Sequence, residues 1–233
     1  MGRDQWVALL VSYVGLVAVW SALGFALKGP LDHTVVGRLD RHVAVWFASH
    51  RTPAFNSYTV WGSDLAATMI KIIATAVIAL VLFLIWRSWI EPLLLALSLA
   101  LEAAAFITVT WLVSRPRPDV QRLEGSPVNS SFPSGHTAAA AAYTAVAVIV
   151  FRHTQRRSAR VVAIVVTGSI PFVVGLSRMY RGMHYLTDVL AGMVLGLVSV
   201  FLTAVILRPR PPDEGPLLDD SEELDDSAAR SLP

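Results

Sequence analysis

The stretch Trp6–Leu27, WVALLVSYVGLVAVWSALGFAL, decides the fold class because its 22 residues contain no charged side chain. A helix needs about 20 such residues to cross a bilayer. Two further runs of similar length contain one charge each: Leu65–Trp86 contains Lys71, and Pro92–Val113 contains Glu102. These three runs predict three transmembrane helices.

Three more apolar runs follow, at Thr137–Phe151, Val161–Leu176 and Val189–Leu207. The first two are short for a hydrocarbon core of about 30 Å at about 1.5 Å per residue. Each borders polar residues into which a helix can continue, giving Ser134–Arg152 and Val161–Tyr180. We therefore predict an all-α bundle of six transmembrane helices. The alternative is that one short run is a buried or re-entrant helix.

Composition excludes an ordinary soluble domain, since 55% of the 233 residues are hydrophobic, 15% are charged and the mean hydropathy is +0.58. The chain has no cysteine, which excludes disulfides and thiolate metal ligands. The first apolar run follows Arg3 as a signal peptide core would, but it exceeds the usual length of about 7–15 residues. We expect it to be retained as a span.

Six spans place both termini and the loops Arg87–Glu91 and Arg152–Arg160 on one side of the membrane. Arginines are numerous on both sides, so a plain count does not fix the orientation. If the arginines on the opposite side bind an anionic ligand, the compact Arg152–Arg160 loop becomes the stronger signal for the cytoplasmic side. We therefore expect a multi-pass protein of the plasma (inner) membrane with cytoplasmic termini.

Two segments differ from the spans. Thr34–Phe47 mixes apolar side chains with Arg38, Asp40 and Arg41, which is typical of an interfacial helix, serving as a connector or as a guide for lipids. The last residues contain 8 of the 17 acidic residues and show no apolar periodicity, which predicts a disordered, acidic cytoplasmic tail. We divide the chain into a membrane domain, residues 1–207, and this tail, residues 208–233.

Three short polar segments lie at the ends of spans: Arg115–Pro118, Pro133–His136 and Ser177–Asp188. Polar groups in or beside a span cost free energy and therefore mark functional sites. Together the segments contain two histidines, a carboxylate and several arginines. Such groups can bind a phosphate and break its ester bond.

His184 and Asp188 are spaced i, i+4. If the sixth transmembrane helix begins near Met183, the two side chains lie on one face and can meet. A carboxylate that accepts the Nδ1 proton leaves Nε2 of the histidine as a nucleophile. The alternative is that Asp188 only caps the N-terminus of the helix.

The segment Pro133-Ser134-Gly135-His136 directly precedes an alanine-rich helix. Ser134 suits the N-cap position, and the free N–H groups of a first helical turn attract anions. Gly135 lets the backbone approach a phosphate closely, and His136 is placed to protonate a leaving oxygen. A purely structural cap is the alternative.

Arg117 and Arg178 are suitable cations for a phosphoryl group because a guanidinium binds two oxygens at once. Arginines at span ends also occur as interfacial anchors. Since complementary groups occur in three segments, we favour a phosphate site, and its position opposite the termini places it on the outer face of the membrane.

The order and spacing of these residues resemble the type-2 phosphatidic acid phosphatase superfamily of membrane lipid phosphatases. Its three-part signature is Lys-x6-Arg-Pro, then Pro-Ser-Gly-His, then Ser-Arg-x5-His-x3-Asp. The second part is complete at Pro133–His136, and the third runs from Ser177 through His184 to Asp188. The resemblance covers the chain from about the second span to the sixth.

The first part of the signature departs from the family. Arg117 and the proline after it match its end, but Thr110 stands where the family has lysine. Either Arg115 or Arg122 compensates, or the phosphate is held more weakly, or the protein is partly degenerate.

Lys71 and Glu102 are the charges deepest within the spans. One interpretation is a buried ion pair between them, and another is that Lys71 extends to the outer interface. A third hypothesis is that Lys71 replaces the missing lysine of the signature.

The resemblance implies a mechanism without metal or cofactor and with a phosphohistidine intermediate; no carboxylate cluster suited to Mg²⁺ is visible either. In that mechanism His184 attacks phosphorus, Asp188 orients His184, and His136 protonates the leaving group. The groups that hold the phosphoryl oxygens are Arg117, Arg178, Ser134 and the Gly135 amide.

The expected function is hydrolysis of a lipid phosphate or isoprenoid diphosphate, with a membrane lipid and the bilayer as partners and no nucleic acid. The alternative is a non-catalytic lipid-phosphate-binding protein, which would explain Thr110 but not His184 together with Asp188. A vanadate haloperoxidase and phosphotransfer to an acceptor are further alternatives. The sequence predicts neither the lipid nor the oligomeric state.

Overall fold

The computed structural model describes residues 1–64, 68–125 and 129–208. Within these ranges the regular elements are all helices. They are α1 (Arg3–Lys28), α2 (Val35–Ser49), α3 (Pro53–Asp64), α4 (Thr68–Trp86), α5 (Ile90–Val113), α6 (Gly135–Ala142), α7 (Ala145–His153), α8 (Arg157–Tyr180) and α9 (Leu186–Ile206). The predicted disordered tail lies outside the described residues, apart from Arg208.

Among the described residues, six helical stretches are long and apolar enough to cross a membrane: α1, α4, α5, α6 with α7, α8 and α9. This confirms the prediction of an all-α bundle of six spans. The fourth span differs in detail from the single helix expected over Ser134–Arg152. It is interrupted at Tyr143 and Thr144, where the Tyr143 hydroxyl donates to the backbone oxygen of Lys71 on α4 at 3.0 Å.

A contact between the first and last spans shows which elements lie at each end of the bundle. At one end, the Gln5 side chain donates to the backbone oxygen of Ile206 at 3.0 Å, so the start of α1 meets the end of α9. The chain therefore begins and ends its six crossings on the same side. The polar segments lie at the other end, in the α5–α6 loop and the α8–α9 turn.

Two helices connect the first span to the second at this other end. A helix is confirmed where an interfacial one was expected, over Thr34–Phe47: it is α2, Val35–Ser49, and the Thr34 hydroxyl accepts from the amide of Val36 at 3.2 Å. The second helix, α3, was not predicted from the sequence, and it packs on α8. At Gly62 of α3, any Cβ would overlap the hydroxyl of Ser177, so glycine is needed for this approach.

Helices α6 and α9 pack closely against each other. This packing brings the second and third motifs together. The α6 alanines at 138 to 142 are all buried. On α9, a Cβ at Gly192 or Gly196 would overlap backbone atoms of Ser134 or Ala138. Small residues allow membrane helices to approach until their backbones touch, so the glycines of α9 fix its distance from the start of α6.

Candidate active site

A tight turn after α8 directs the chain back toward the bundle. The amide of Gly182 donates to the backbone oxygen of Met179 at 2.9 Å, and that of Met183 to the backbone oxygen of Arg178 at 3.0 Å. Gly182 has φ +73°, a conformation that glycine adopts without the strain of a Cβ. The next residue but one is His184, which this turn places inside the protein.

The imidazole of His184 is only 4% exposed, and its Nδ1 lies 2.6 Å from the backbone oxygen of Ser131. A carbonyl oxygen can only accept, so Nδ1 carries the proton and Nε2 keeps its lone pair. Burial, and then the positive charges of Arg178 and Arg117, lower the pKa of His184 well below its ordinary value. The neutral, nucleophilic form is therefore the resting state.

The predicted contact between Asp188 and His184 is wrong in this structure. The helix α9 begins at Leu186 and not near Met183, so His184 precedes the helix and i, i+4 spacing does not apply. Asp188 instead accepts from the backbone N–H of Tyr185 at 2.8 Å. The backbone of Ser131 orients the imidazole in place of the carboxylate.

Arg115 is the main side-chain partner of Asp188. Its Nη1 lies 2.5 Å from Asp188 Oδ1 and its Nη2 lies 2.9 Å from Asp40 Oδ2. Asp40 also accepts from the amide and hydroxyl of Thr187, at 3.0 and 2.5 Å. Burial opposes the charge of Arg115, but Asp188 and Asp40 raise its pKa. We call Arg115, Asp40, Asp188 and Thr187 the closed cluster.

The closed cluster corrects one expectation and adds one residue. Arg115 binds two carboxylates, which disagrees with the hypothesis that its charge compensates for the missing lysine. Asp40 was not recognised as a functional residue. It shares the buried face of α2 with Gly37 and Ala44. The spacing of this acidic residue with two small residues is the sequence pattern from which its burial could have been predicted.

Arg117 and Arg178 lie close enough for their charges to interact. Arg117 Nη1 donates to the backbone oxygen of Met183 at 2.6 Å. Burial, and next the positive charges of Arg178 and Arg122, lower the pKa of Arg117 to about 10. The structure therefore brings together Arg117 and Arg178, the two arginines predicted to bind phosphate. Their mutual repulsion is relieved when an anion binds between them.

Arg178 also connects to residues that the sequence analysis did not assign to the site. Its Nη1 donates to the hydroxyl of Ser63 on α3 at 2.6 Å and pairs with the carboxylate of Glu124. The other oxygen of Glu124 lies 2.6 Å from Nε of Arg181. We call Arg178, Arg181, Glu124 and Ser63 the open cluster, because Glu124 is partly exposed.

The second motif lies where α6 begins. Ser134 occupies the N-cap position; its hydroxyl lies 2.9 Å from that of Thr137, and its amide donates to the backbone oxygen of Asp188 at 3.0 Å. A Cβ on Gly135 would lie 2.6 Å from the ring of Phe106. Packing against Phe106 is thus one reason for this glycine, and a contact of Ser134 or Gly135 with phosphate stays a prediction.

His136 follows in the first turn of α6 and is partly exposed. The charges of Arg178, Glu124, Lys71 and Arg117 all act on it, and His136 in turn acts on His184. The structure therefore brings both predicted catalytic histidines and both predicted phosphate-binding arginines into one electrostatic neighbourhood.

The remaining accessory residues differ in their surroundings. Lys71 is partly exposed, and its charge acts on His136 and on Glu102. Among the described residues it makes no ion pair with Glu102 within 4.0 Å, and neither oxygen of that buried carboxyl has a hydrogen-bond partner there. Arg122 is exposed on the α5–α6 loop.

Thr110, at the position of the family lysine, is buried and its hydroxyl donates to the backbone oxygen of Phe132 at 3.4 Å. Phe132 directly precedes Pro133, so Thr110 lies beside the second motif even without a charge. In the described ranges, no three histidine or acidic side chains are arranged as metal ligands.

A family model described as the PAP2 superfamily matches residues 91–211. The chain belongs to the PAP2 superfamily. Apart from Ile90, the first residue of α5, the matched range contains the helices α5 to α9, together with all three polar segments. It confirms the resemblance drawn from the motifs. With six apolar spans, this PAP2 protein is a multi-pass membrane protein.

Individual relatives agree with the family. Phosphatidylglycerophosphatase B of Bacillus subtilis (strain 168) is 30% identical over 183 residues, covering 77% of this chain and 89% of the relative. A crystal structure of a transmembrane PAP2-type phosphatidylglycerolphosphate phosphatase from Bacillus subtilis superposes with a TM-score of 0.68 at 27% identity, over 85% of this chain and 94% of that one.

A more distant solved structure shares the fold. Aquifex aeolicus LpxE matches with a TM-score of 0.55 at 22% identity, covering 72% of this chain and 95% of its own. At that identity the likeness concerns the arrangement of helices alone.

Proposed function

We propose that this PAP2 protein is a membrane phosphatase that hydrolyses a lipid phosphate or isoprenoid diphosphate through a phosphohistidine at His184. The observation that carries the proposal is the state of His184: buried, neutral, with the proton on Nδ1 and the lone pair on Nε2. A neutral imidazole beside two arginines is suited to attack a phosphorus atom.

The reaction proceeds in two displacements. Nε2 of His184 forms a bond to phosphorus while the bond from phosphorus to the lipid oxygen breaks, and His136 donates a proton to that oxygen. Water then attacks the phosphohistidine, His136 takes a proton from the water, and inorganic phosphate leaves as His184 is restored. Arg117 and Arg178 stabilise the negative charge of the phosphoryl oxygens in both steps.

The other groups act through these residues. Ser131 holds the tautomer of His184, and Arg117 binds the backbone of Met183, next to His184 in sequence. Asp188 is a positioning residue that fixes Arg115 and the start of α9. Since the histidines and arginines supply the nucleophile, acid and positive charge, we propose that no metal or cofactor is needed.

The relatives bear on the substrate. The Bacillus subtilis relative and the Bacillus subtilis crystal structure are both named for phosphatidylglycerophosphate phosphatase activity, which favours a phosphomonoester on a glycerolipid headgroup. The site lies at the other end of the bundle from the start of α1 and the end of α9. The arginine-rich loop between α7 and α8 lies at the same end as these two. We therefore place the termini in the cytoplasm and the site on the outer face of the plasma (inner) membrane.

The test is phosphate release by purified protein in detergent, with EDTA present, from phosphatidylglycerophosphate, phosphatidic acid and an isoprenoid diphosphate. We expect release from at least one lipid, abolished by His184→Ala and retained by His33→Ala, which removes an exposed histidine outside the motifs. If folded wild-type protein binds these lipids but releases no phosphate from any, the non-catalytic lipid-binding alternative, which Thr110 motivates, is correct.

A further inference from the structure

We propose that the Glu124 carboxylate occupies Arg178, one of the two proposed phosphate-binding arginines, in the resting site and competes there with the phosphate of the substrate. This inference rests on the proposed function, because it assigns a role within the same site. It makes Glu124 a residue that sets which anions bind there and how tightly.

The first observation is the geometry of the open cluster. The two oxygens of Glu124 are directed at two different arginines: Oε1 pairs with Arg178 Nη1, and Oε2 lies 2.6 Å from Arg181 Nε. Arginine binds carboxylate and phosphate oxygens through the same N–H donors. A phosphoryl group that uses Arg178 therefore requires a donor that Glu124 now occupies.

The second observation is the direction from which Glu124 binds. The side chains of Arg178 and Arg181 are 5% and 7% exposed, whereas the side chain of Glu124 is 24% exposed. Glu124 therefore covers the arginines from the solvent side. Its charge also acts on Arg117 and His136, so it lies within the field of the residues that handle phosphate.

The third observation separates Glu124 from a simple structural anchor. Arg181 has other acceptors: the backbone oxygen of Leu123 at 3.1 Å, and the backbone oxygen of Asn56 and hydroxyl of Thr59, each at 3.4 Å. Arg178 likewise binds Ser63. Both arginines thus keep hydrogen-bond partners when Glu124 withdraws, and the positive site remains formed.

Charge favours the exchange. Burial opposes ionisation of Glu124, but Arg178 and Arg181 lower its pKa below the ordinary value, so it is an anion at neutral pH. A phosphomonoester dianion carries more negative charge than a carboxylate and offers three oxygens. It can therefore displace Glu124, whereas weaker anions of one charge are excluded, and release of product phosphate is assisted by return of the carboxylate.

The test measures binding of inorganic phosphate, and of orthovanadate, to the full-length protein in detergent by titration calorimetry. Glu124→Gln keeps the shape and removes the charge. We expect this variant to bind both anions about tenfold more tightly, with a lower KM for the lipid substrate. Glu124→Asp keeps the charge on a shorter side chain and is expected to give a smaller gain.

Asp119→Asn is the matched control, since it removes one exposed carboxylate from the same loop; it should leave anion affinity within about twofold of wild type. Weaker or unchanged anion binding in Glu124→Gln overturns the inference, because it shows that Glu124 positions the arginines or has no part in binding. Failure of both the wild type and Glu124→Gln to bind either anion also overturns it. Because binding is measured without turnover, this outcome is distinguishable from a protein that binds phosphate but hydrolyses no lipid.

Discussion

Two arginine–carboxylate clusters flank His184, and they differ in whether water can reach them. In the closed cluster, Arg115 joins Asp40 and Asp188, and all three side chains are at most 3% exposed. In the open cluster, Arg178 and Arg181 share the partly exposed Glu124. A fully buried ion pair cannot exchange its partner for a ligand, whereas a partly exposed one can. We therefore propose that the first cluster holds the fold and that the second binds substrate.

The largest expected effect comes from breaking the closed cluster. Arg115→Met leaves Asp40 and Asp188 buried without their cation, and loss of one partner of a buried pair costs about 3–5 kcal/mol. We expect a large drop in thermal unfolding temperature, measured in detergent, together with loss of activity. Arg122→Met, on the exposed loop, is the control and should unfold like wild type. Equal stability of the two variants would show that the closed cluster does not hold the fold.

The open cluster should respond in activity and not in stability. Arg178→Lys keeps the charge but loses the planar pair of donors. We expect kcat/KM for a lipid phosphate to fall about 100-fold, with an unfolding temperature close to that of wild type. Arg38→Lys on the exposed face of α2 is the matched control. A variant that loses stability but keeps kcat/KM per folded molecule would reverse the roles given to the two clusters.

The pH dependence of catalysis tests the two arginines whose charges act on His184. Burial and the charges of Arg178 and Arg117 lower the pKa of His184, so its neutral form persists and the acid limb of kcat/KM from this group lies below pH of about 6.5. Removing one charge in Arg117→Met raises that pKa and moves the limb to higher pH, while Arg122→Met leaves it in place. An acid limb at the same pH in both variants contradicts the assignment.

The lowered pKa of His184 also predicts how the stability of the protein changes with pH. A histidine with a lowered pKa in the folded state binds its proton more readily when unfolded. The stability gained from neutral His184 is therefore fully present above pH of about 6.5 and is lost as pH falls below it. His184→Gln should remove this part of the acid destabilisation, which unfolding curves between pH 7 and pH of about 5 will measure.

The smallest effect is expected at Lys71. Its charge acts on His136 from α4, but less than the charge of Arg178 does. We expect Lys71→Met to lower kcat by about threefold or less, and Lys71→Arg to restore it. A loss as large as that of Arg178→Lys would instead support the hypothesis that Lys71 replaces the missing lysine of the first motif.

The sequence predicted what depends on local pattern. Long apolar runs with at most one charge predicted the six spans within a few residues, because the bilayer fixes their length. The histidines and arginines of the site followed from motif spacing. The partner of His184 could not be predicted in this way, because it depends on where α9 begins. The helix begins two residues beyond His184. As a result, Nδ1 of His184 contacts the backbone oxygen of Ser131, and Asp188 pairs with Arg115.

Long-range contacts explain the other residues that were missed. Asp40 and Ser63 lie in the connection between the first two spans, 75 and 115 residues from their partners Arg115 and Arg178. The residues around Asp40 and Ser63 form no local pattern from which these partners could be predicted. Glu124 lies in a loop without periodicity, and its role depends on the C-terminal end of α8 reaching it.

The most direct test of the account is to trap the covalent intermediate. Wild-type protein is mixed with a lipid phosphate, quenched in alkali within the first turnovers, digested and examined by mass spectrometry. We predict phosphate attached to His184, absent in His184→Ala and present in His33→Ala. Steady release of phosphate with no phosphate on His184 at any quench time would contradict the nucleophilic role of this residue.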